Sequence, residues 1–342
     1  MDRECFNVAI VGATGAVGIE LIKLLEERDF PVGELRLLAS ARSEGKELQF
    51  RGQKVKVRTL GEDSFNGIQI ALFSAGSDTS REFAPIAAGS GAVVVDNSSA
   101  FRMEPDVPLV IPEINPGALS GFRARNIVAN PNCTTAVTLM ALKPIYDISR
   151  ITRVVATSYQ AVSGAGARAI EELKRQTRDW AEGKPLEHSV FPYQIAFNLI
   201  PQIDSFVENG YTKEEMKLHY ESQKILDDPD IQITATTVRV PVFRAHCVSV
   251  NLETEEKVTA EQAREAFDAF PGIVVSDNPS EQLYPLPIDA AGKWDCLVGR
   301  IREDFTVPNG LSLWVAGDQL LKGAALNAVQ IAELLIKEHV KR

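Results

Sequence analysis

The sequence predicts an α/β chain of two domains, the first built on a parallel sheet with helices on both faces and the second on a mixed sheet. Three observations predict it. At 342 residues the chain is long for one domain. Its first part alternates short apolar runs with amphipathic stretches, the pattern of a parallel sheet. Its second part spaces strand-like runs as hairpins do.

Residues 7–11 form a short apolar run, as expected of a buried strand. The turn Gly12-Ala13-Thr14-Gly15-Ala16-Val17-Gly18 follows. Val17, Leu21, Leu24 and Leu25 then share one face of a helix that reaches Arg28. Further strands are expected over 34–39, 68–73 and 92–96, with a helix over 78–88. A different region opens with a strand at 151–160, the turn Ser163-Gly164-Ala165-Gly166 and a helix over 167–181. Strands over 231–240, 245–252 and 311–316 continue it. A last helix, 322–337, carries Ala325, Leu326, Val329, Ile331, Leu334 and Leu335, and is expected to pack back on the first domain.

Composition narrows the function. Apolar residues make up 45% and charged residues 24%, so a sizeable core needs no metal or disulfide staple. A net charge of −10 argues against non-specific binding to nucleic acid or anionic membrane, so an anionic ligand must meet local Arg and Lys. The four cysteines fit no zinc spacing, no metal site is expected, and sparse unpaired thiols suit a reducing compartment. Met1-Asp2-Arg3-Glu4 is charged and leads directly into a strand-like run, so no signal or transit peptide is expected. No apolar stretch approaches the ~18 residues that span a bilayer. A cytoplasmic protein without membrane partners is expected.

Strand, Gly-x-x-Gly-x-x-Gly, helix is a nucleotide-binding arrangement. Gly12 permits a tight turn, Gly15 admits a pyrophosphate to backbone N–H groups, and Gly18 lets the helix lie close to the strand. The cofactor contacts expected here are Gly12, Thr14, Gly15, Ala16 and Val17; the alternative is a turn that only joins strand to helix. An NAD site places Asp or Glu after the second strand. This chain has Ala39-Ser40-Ala41-Arg42-Ser43. Ser40, Arg42 and Ser43 suit a 2′-phosphate, hence NADP, unless the loop is merely solvated surface.

Asn130-Pro131-Asn132-Cys133-Thr134-Thr135 is the sharpest feature. Pro131 closes a strand at 126–129, and a buried helix is expected over 134–142, ended by Pro144. Asn132 falls near the N-cap and Cys133 in the first turn, where the helix dipole favours a thiolate. The alternative is an inert buried cysteine, which is how Cys5, Cys247 and Cys296 are read. Among four histidines, His246 opens an apolar strand, and a pKa near neutrality would suit proton transfer. A core histidine is the alternative.

With these motifs the chain resembles the aspartate-semialdehyde dehydrogenases. The resemblance extends through Asp96-Asn97-Ser98-Ser99-Ala100-Phe101-Arg102, Ser158-Tyr159-Gln160-Ala161-Val162-Ser163-Gly164-Ala165-Gly166, Lys213-Glu214-Glu215-Met216-Lys217, Arg239-Val240-Pro241-Val242 and Lys322-Gly323-Ala324-Ala325-Leu326-Asn327. It implies a Rossmann-type cofactor domain, 1–132 with 320–342, and a catalytic and dimerisation domain, 133–319, in a homodimer. It implies NADPH-dependent reductive dephosphorylation of 4-phospho-L-aspartate to L-aspartate 4-semialdehyde through a Cys133 thioester. That step leads toward diaminopimelate, lysine, methionine, threonine and isoleucine.

By the same resemblance Cys133, Asn132, Gln160 and His246 are catalytic. Arg239 grips the substrate carboxylate, Glu214 (or its neighbour Glu215) meets the amine, and Arg102 and Lys217 hold the phosphate. Ser163, Gly164 and Gln319 contact the nicotinamide half. From spacing alone, Glu214 and Lys217 read as an exposed i, i+3 ion pair. Two rivals stay open at this point: an N-acetyl-glutamyl-phosphate reductase, and a non-enzymatic NADP-binding sensor.

Overall fold

The computed structural model describes residues 5–338. The charged first four residues and His339 lie outside the described residues. The chain divides into two compact units, one running to Asn132 and resuming at Ala324, the other Cys133–Gly323.

The first unit contains β1 (Phe6–Val11), α1 (Ala16–Glu27), β2 (Val32–Ala39), β3 (Glu47–Phe50), β4 (Gln53–Thr59), β5 (Ile70–Phe73), α2 (Ser77–Gly89), β6 (Val93–Asp96), β7 (Ile127–Ala129) and the C-terminal helix Leu326–Glu338. Its seven-stranded sheet runs β3-β4-β2-β1-β5-β6-β7. Every pairing is parallel except the β3–β4 hairpin. β5, β6 and β7 are buried at every position, as in a sheet covered on both faces. Strand order reverses between β1 and β5, which makes the crevice beyond their carboxyl ends the ligand-binding position of such a sheet.

α1 buries Leu21, Ile22, Leu24 and Leu25. Arg28 binds Glu333 of the C-terminal helix as a two-pronged fork, both bonds at 2.7 Å. That helix starts later than the expected 322, because Leu321–Ala325 form a wide π-helical turn. The hairpin β3–β4 escaped the sequence reading. Its strands are mostly exposed and carry Lys54, Lys56 and Arg58, so no apolar period marks them.

The second unit contains α3 (Cys133–Ile148), β8 (Ile151–Gln160), α4 (Ala167–Ala181), α5 (Lys213–Leu226), β9 (Gln232–Arg239), β10 (His246–Thr254), α6 (Ala260–Ala269), β11 (Ile273–Val275), β12 (Cys296–Asp304) and β13 (Gly310–Gly317). The six-stranded sheet is mixed, in the order β11-β12-β13-β10-β8-β9. β8 alternates in burial, with Val154, Ala156, Ser158 and Gln160 turned to the covered face. α3 is buried almost all round, from Thr134 to Leu142 and again at Pro144 and Ile145. Contrary to expectation, Pro144 does not end α3. The proline forgoes one backbone bond, but its ring is buried and the helix continues to Ile148.

Strand ends position the chemistry. β8 and β9 run parallel and finish together, Gln160 opposite Arg239. β10 begins at His246, opposite Gly317 at the end of β13. Four strand termini therefore meet at one edge of the sheet.

A polar cluster fastens the far end of α3. Arg150 donates from Nε and Nη2 to Asp228 at 2.9 and 2.8 Å, and Tyr146 adds a bond at 2.7 Å. The Arg150 fork, against the opposing effect of burial, holds the Asp228 carboxyl down to about 2. Unfolded, an Asp titrates near ~3.9. The stabilisation is therefore complete above about pH 4 and is lost as pH falls toward about 2. Asp228→Asn should lower stability at neutral pH by on the order of 1 kcal/mol after solvent screening. The difference from wild type should narrow as pH falls through that window. Urea titrations at several pH values check this, and an equal loss at every pH would contradict it.

Candidate active site

The cluster in the second unit grows from the first turn of α3. Cys133 is the first helical residue and is half-buried. Gly323 lies against it so closely that a β-carbon there would come within 2.7 Å of Cys133 Cβ. Thr134, next on the helix, accepts a bond from Gln160 Nε2 at 2.7 Å. The same amide lies 3.2 Å from Ser158 Oγ and 3.3 Å from Glu214 Oε1. The N–H groups of Gln160 are thus committed to fixed acceptors.

Arg239 is buried, with 6% of its surface exposed. Its Nη1 donates to the Ala161 carbonyl at 2.7 Å, and the Phe191 ring lies 5.8 Å from the guanidinium carbon. Burial lowers its pKa, and the negative charges of Glu214 and Cys133 oppose that shift. Gly164 packs against both Arg239 and His246: a β-carbon there would come within 2.9 Å of Arg239 Nη1 and 3.3 Å of the His246 ring.

His246 is fully buried. Its Nδ1 accepts the Ala161 N–H at 3.1 Å. A nitrogen that accepts cannot carry the proton, so this contact assigns the neutral ring's hydrogen to Nε2. Nε2 has no protein partner among the described residues. Burial, reinforced by the charge of Arg239, pushes the imidazole down to about 3. The expected titration near neutrality is therefore corrected: a buried ring beside a guanidinium and facing a backbone donor stays uncharged.

Glu214 and Lys217 are no exposed pair. Glu214 is 7% exposed and receives Lys217 Nζ at 3.0 Å. Lys217 also reaches Asp204 at 3.0 Å. Burial opposes its charge, but Glu214 and Asp204 outweigh it and raise the ammonium's pKa. Glu215 faces elsewhere. It closes a capping box with Thr212 and accepts Thr237 N–H at 2.9 Å. The spacing Thr212-x-x-Glu215 carried that signal in the sequence. Glu214 is thus the acidic residue turned to Gln160.

The amide of Gln319 is also engaged. Its Oε1 accepts Ala245 N–H at 2.8 Å and its Nε2 donates to Ser163 Oγ. Asp318, which sequence reasoning passed over, is buried and accepts from Arg244, Gly292, Leu320 and Leu321. It fixes the turn that carries Gln319 and Gly323. Asp204 and Phe191 were missed too, since both lie in irregular chain with no local pattern. Burial pushes the Cys247 thiol up to about 12, with Trp314 opposing, which disfavours the reactive thiolate.

The first unit holds the remaining candidates. A cavity of about 580 Å³ is lined by Gly12, Thr14, Gly15, Ser40, Arg42 and neighbours at the ends of β1, β2 and β5. Gly12 has a φ of +85°, and a β-carbon there would meet Ser74 O at 2.7 Å. Thr14 and Ser43 hydroxyls are 3.3 Å apart, which links the glycine turn to the loop after β2. Ala16 and Val17 open α1, whose N-cap, Gly15, has no side chain to occupy the N-terminal amides. Arg42 is exposed and makes no ion pair among the described residues. These residues fit a dinucleotide's phosphates. Arg102 is buried in the segment after β6 and donates to Asn130 O at 2.8 Å and Asn97 O at 2.7 Å. Asn132 is buried immediately before Cys133. Among the described residues no His, Cys, Asp and Glu cluster could hold a metal, and no helix is long and apolar enough to cross a membrane.

The His246 assignment predicts an NMR result. With ¹⁵N-labelled histidine, the His246 ring should stay neutral, protonated at Nε2, from about pH 5 to 8. The unfolded chain takes up this proton near ~6.5. His246 therefore costs stability as pH falls from there toward about 3. A ring that titrates between pH 6 and 7, or carries its proton on Nδ1, would contradict the assignment.

Known proteins agree with the two-part reading. The family model "Semialdehyde dehydrogenase, NAD binding domain" matches residues 7–122, and "Semialdehyde dehydrogenase, dimerisation domain" matches 142–322. The aspartate-semialdehyde dehydrogenase of Aquifex aeolicus is 57% identical over 335 residues, 97% of this chain and 98% of that protein. That of Bacillus subtilis is 48% identical over 339 residues, 97% of each. A crystal structure of aspartate semialdehyde dehydrogenase II from Vibrio cholerae, complexed with ASA, superposes with a TM-score of 0.97 at 51% identity, covering 99% of this chain and all of that one. On fold, on sequence and over nearly its whole length, the chain is an enzyme that belongs to the aspartate-semialdehyde dehydrogenase family.

Proposed function

We propose that this enzyme reduces 4-phospho-L-aspartate with NADPH to L-aspartate 4-semialdehyde and phosphate, through a thioester on Cys133. The observation that carries the reading is the gathering of Cys133, Gln160, Glu214, Arg239 and His246 at one edge of the second unit's sheet. The step belongs to the synthesis of diaminopimelate, lysine, methionine, threonine and isoleucine, in the cytoplasm. The active form is a homodimer, supported by the dimerisation-domain match.

The Cys133 thiolate, favoured at a helix N-terminus, attacks the acyl carbon. The carbon–oxygen bond to phosphate breaks and phosphate leaves with the electron pair. The reduced nicotinamide, when bound, supplies the hydride for the resulting thioester. The tetrahedral oxyanion then collapses to aldehyde and regenerates the Cys133 thiolate. No proton is consumed between thiolate and thiolate, so His246 need not titrate. Its Nε2–H serves as a donor to the developing oxyanion, a role worth roughly 10²–10³ in rate. Gln160 orients the acyl group beside Asn132 and Cys133. Arg239 binds the α-carboxylate through its planar fork, and Glu214 receives the ammonium. By the family resemblance, Lys217 and Arg102 are each assigned to the phosphate. Ser163, Gly164 and Gln319 form the nicotinamide-side wall. The 2′-phosphate is read by Ser40, Arg42 and Ser43.

A free ammonium on the substrate separates this reading from N-acetyl-glutamyl phosphate reduction, because a blocked amine could not pair with buried Glu214, which would keep Lys217 as its cation. Assays with both acyl phosphates and both nicotinamides test the proposal. Aspartyl phosphate with NADPH should be preferred, and Arg42→Ala should weaken NADPH use roughly 10- to 150-fold while sparing NADH. Turnover of the N-acetylated substrate, or equal use of both cofactors unaffected by Arg42→Ala, would overturn the corresponding part.

A further inference from the structure

α4 carries a carboxylate that the chemistry above does not use. Glu172 is 3% exposed and forms no salt bridge among the described residues. Burying an uncompensated carboxylate is costly. Here the compensation comes from one loop. Glu172 Oε2 accepts Ser189 N–H at 2.7 Å, Ser189 Oγ at 2.9 Å and Val190 N–H at 2.7 Å. Oε1 accepts Phe191 N–H at 3.4 Å. Burial disfavours the charge, but the amides of Val190 and Ser189 outweigh it, so the carboxyl stays below its usual range. One turn along α4, Gln176 accepts Ile195 and Ala196 N–H groups at 3.0 and 2.8 Å.

The loop so held touches Arg239 twice. Ile200 pairs with the Arg239 main chain in both directions, at 3.0 and 2.8 Å. Phe191 lays its ring against the Arg239 guanidinium. With Nη1 tied to Ala161 O and its carbon over the Phe191 ring, 5.8 Å from the ring centre, the guanidinium is restrained at two points. A planar carboxylate is recognised only in the guanidinium plane.

We propose that Glu172 is a positioning residue for substrate binding: by gripping residues 189–191 it seats Phe191 against Arg239 and restrains the plane in which Arg239 meets the substrate carboxylate. The proposal rests on the reading of Arg239 as the carboxylate clamp. Glu172→Gln is a selective probe. With its carbonyl toward Ser189 and Val190, the amide keeps those acceptor contacts and turns its NH₂ toward Phe191 N–H, donor against donor.

Loss of a cation–π contact on a desolvated guanidinium corresponds to roughly a 5- to 30-fold rise in substrate KM. Glu172→Gln should show that rise, with kcat changed much less and the NADPH KM unchanged. In an Arg239→Lys background it should add little. Phe191→Leu, which removes the ring and leaves the Glu172 bonds, should reproduce the effect and decides the matter should Glu172→Gln fail to fold. An unchanged substrate KM in Arg239→Lys would remove the clamp reading itself. A raised KM in Arg239→Lys, together with substrate KM values within about twofold of wild type in Glu172→Gln and Phe191→Leu, would overturn the positioning role and leave the clamp standing.

Discussion

The main chain of one residue, Ala161, between β8 and the turn that follows, carries constraints on which the second unit's site depends. The Ala161 carbonyl accepts from Arg239 and the Ala161 N–H donates to His246. Both partners are buried, and neither could be so without such bonds. The carbonyl fixes where the guanidinium sits. The amide decides which imidazole nitrogen carries the proton. Because these are main-chain groups, the side chain at 161 has no part in the arrangement, and β8 pairing on both sides holds the strand from which it emerges.

The charges around Ala161 are arranged so that His246 need not join them. Arg239 and Lys217 are met by Glu214, and Lys217 also by Asp204. A protonated imidazole would add a cation beside Arg239 and turn an N–H toward the Ala161 N–H. Both effects disfavour it. A neutral donor costs little to reorganise as an oxyanion forms, which is where fixed dipoles in a dry site act most strongly.

Much of this was legible in the sequence, for physical reasons that differ by residue. The glycine turn after β1 and Cys133 after Asn-Pro-Asn are local patterns, so their places on a strand–turn–helix and in a first helical turn followed directly. β8 and α4 fell at the expected 151–160 and 167–181 because their apolar periods are clean. The β3–β4 hairpin lacks such a period, and Pro144 misled because burial overrode a local breaker. The His246 protonation state depends on a contact 85 residues away, beyond any local pattern. Burial of Glu214 depends in the same way on Gln160, 54 residues distant.

The central claim is that Cys133 carries the acyl group, and intact-protein mass spectrometry tests it directly. Enzyme mixed with 4-phospho-L-aspartate and no nicotinamide should gain the mass of one aspartyl group, located to the Cys133 peptide and removed by NADPH with release of aldehyde. Cys133→Ala should stay unmodified under the same conditions. An adduct on another residue, or NADPH-dependent turnover by Cys133→Ala near the wild-type rate, would contradict the account.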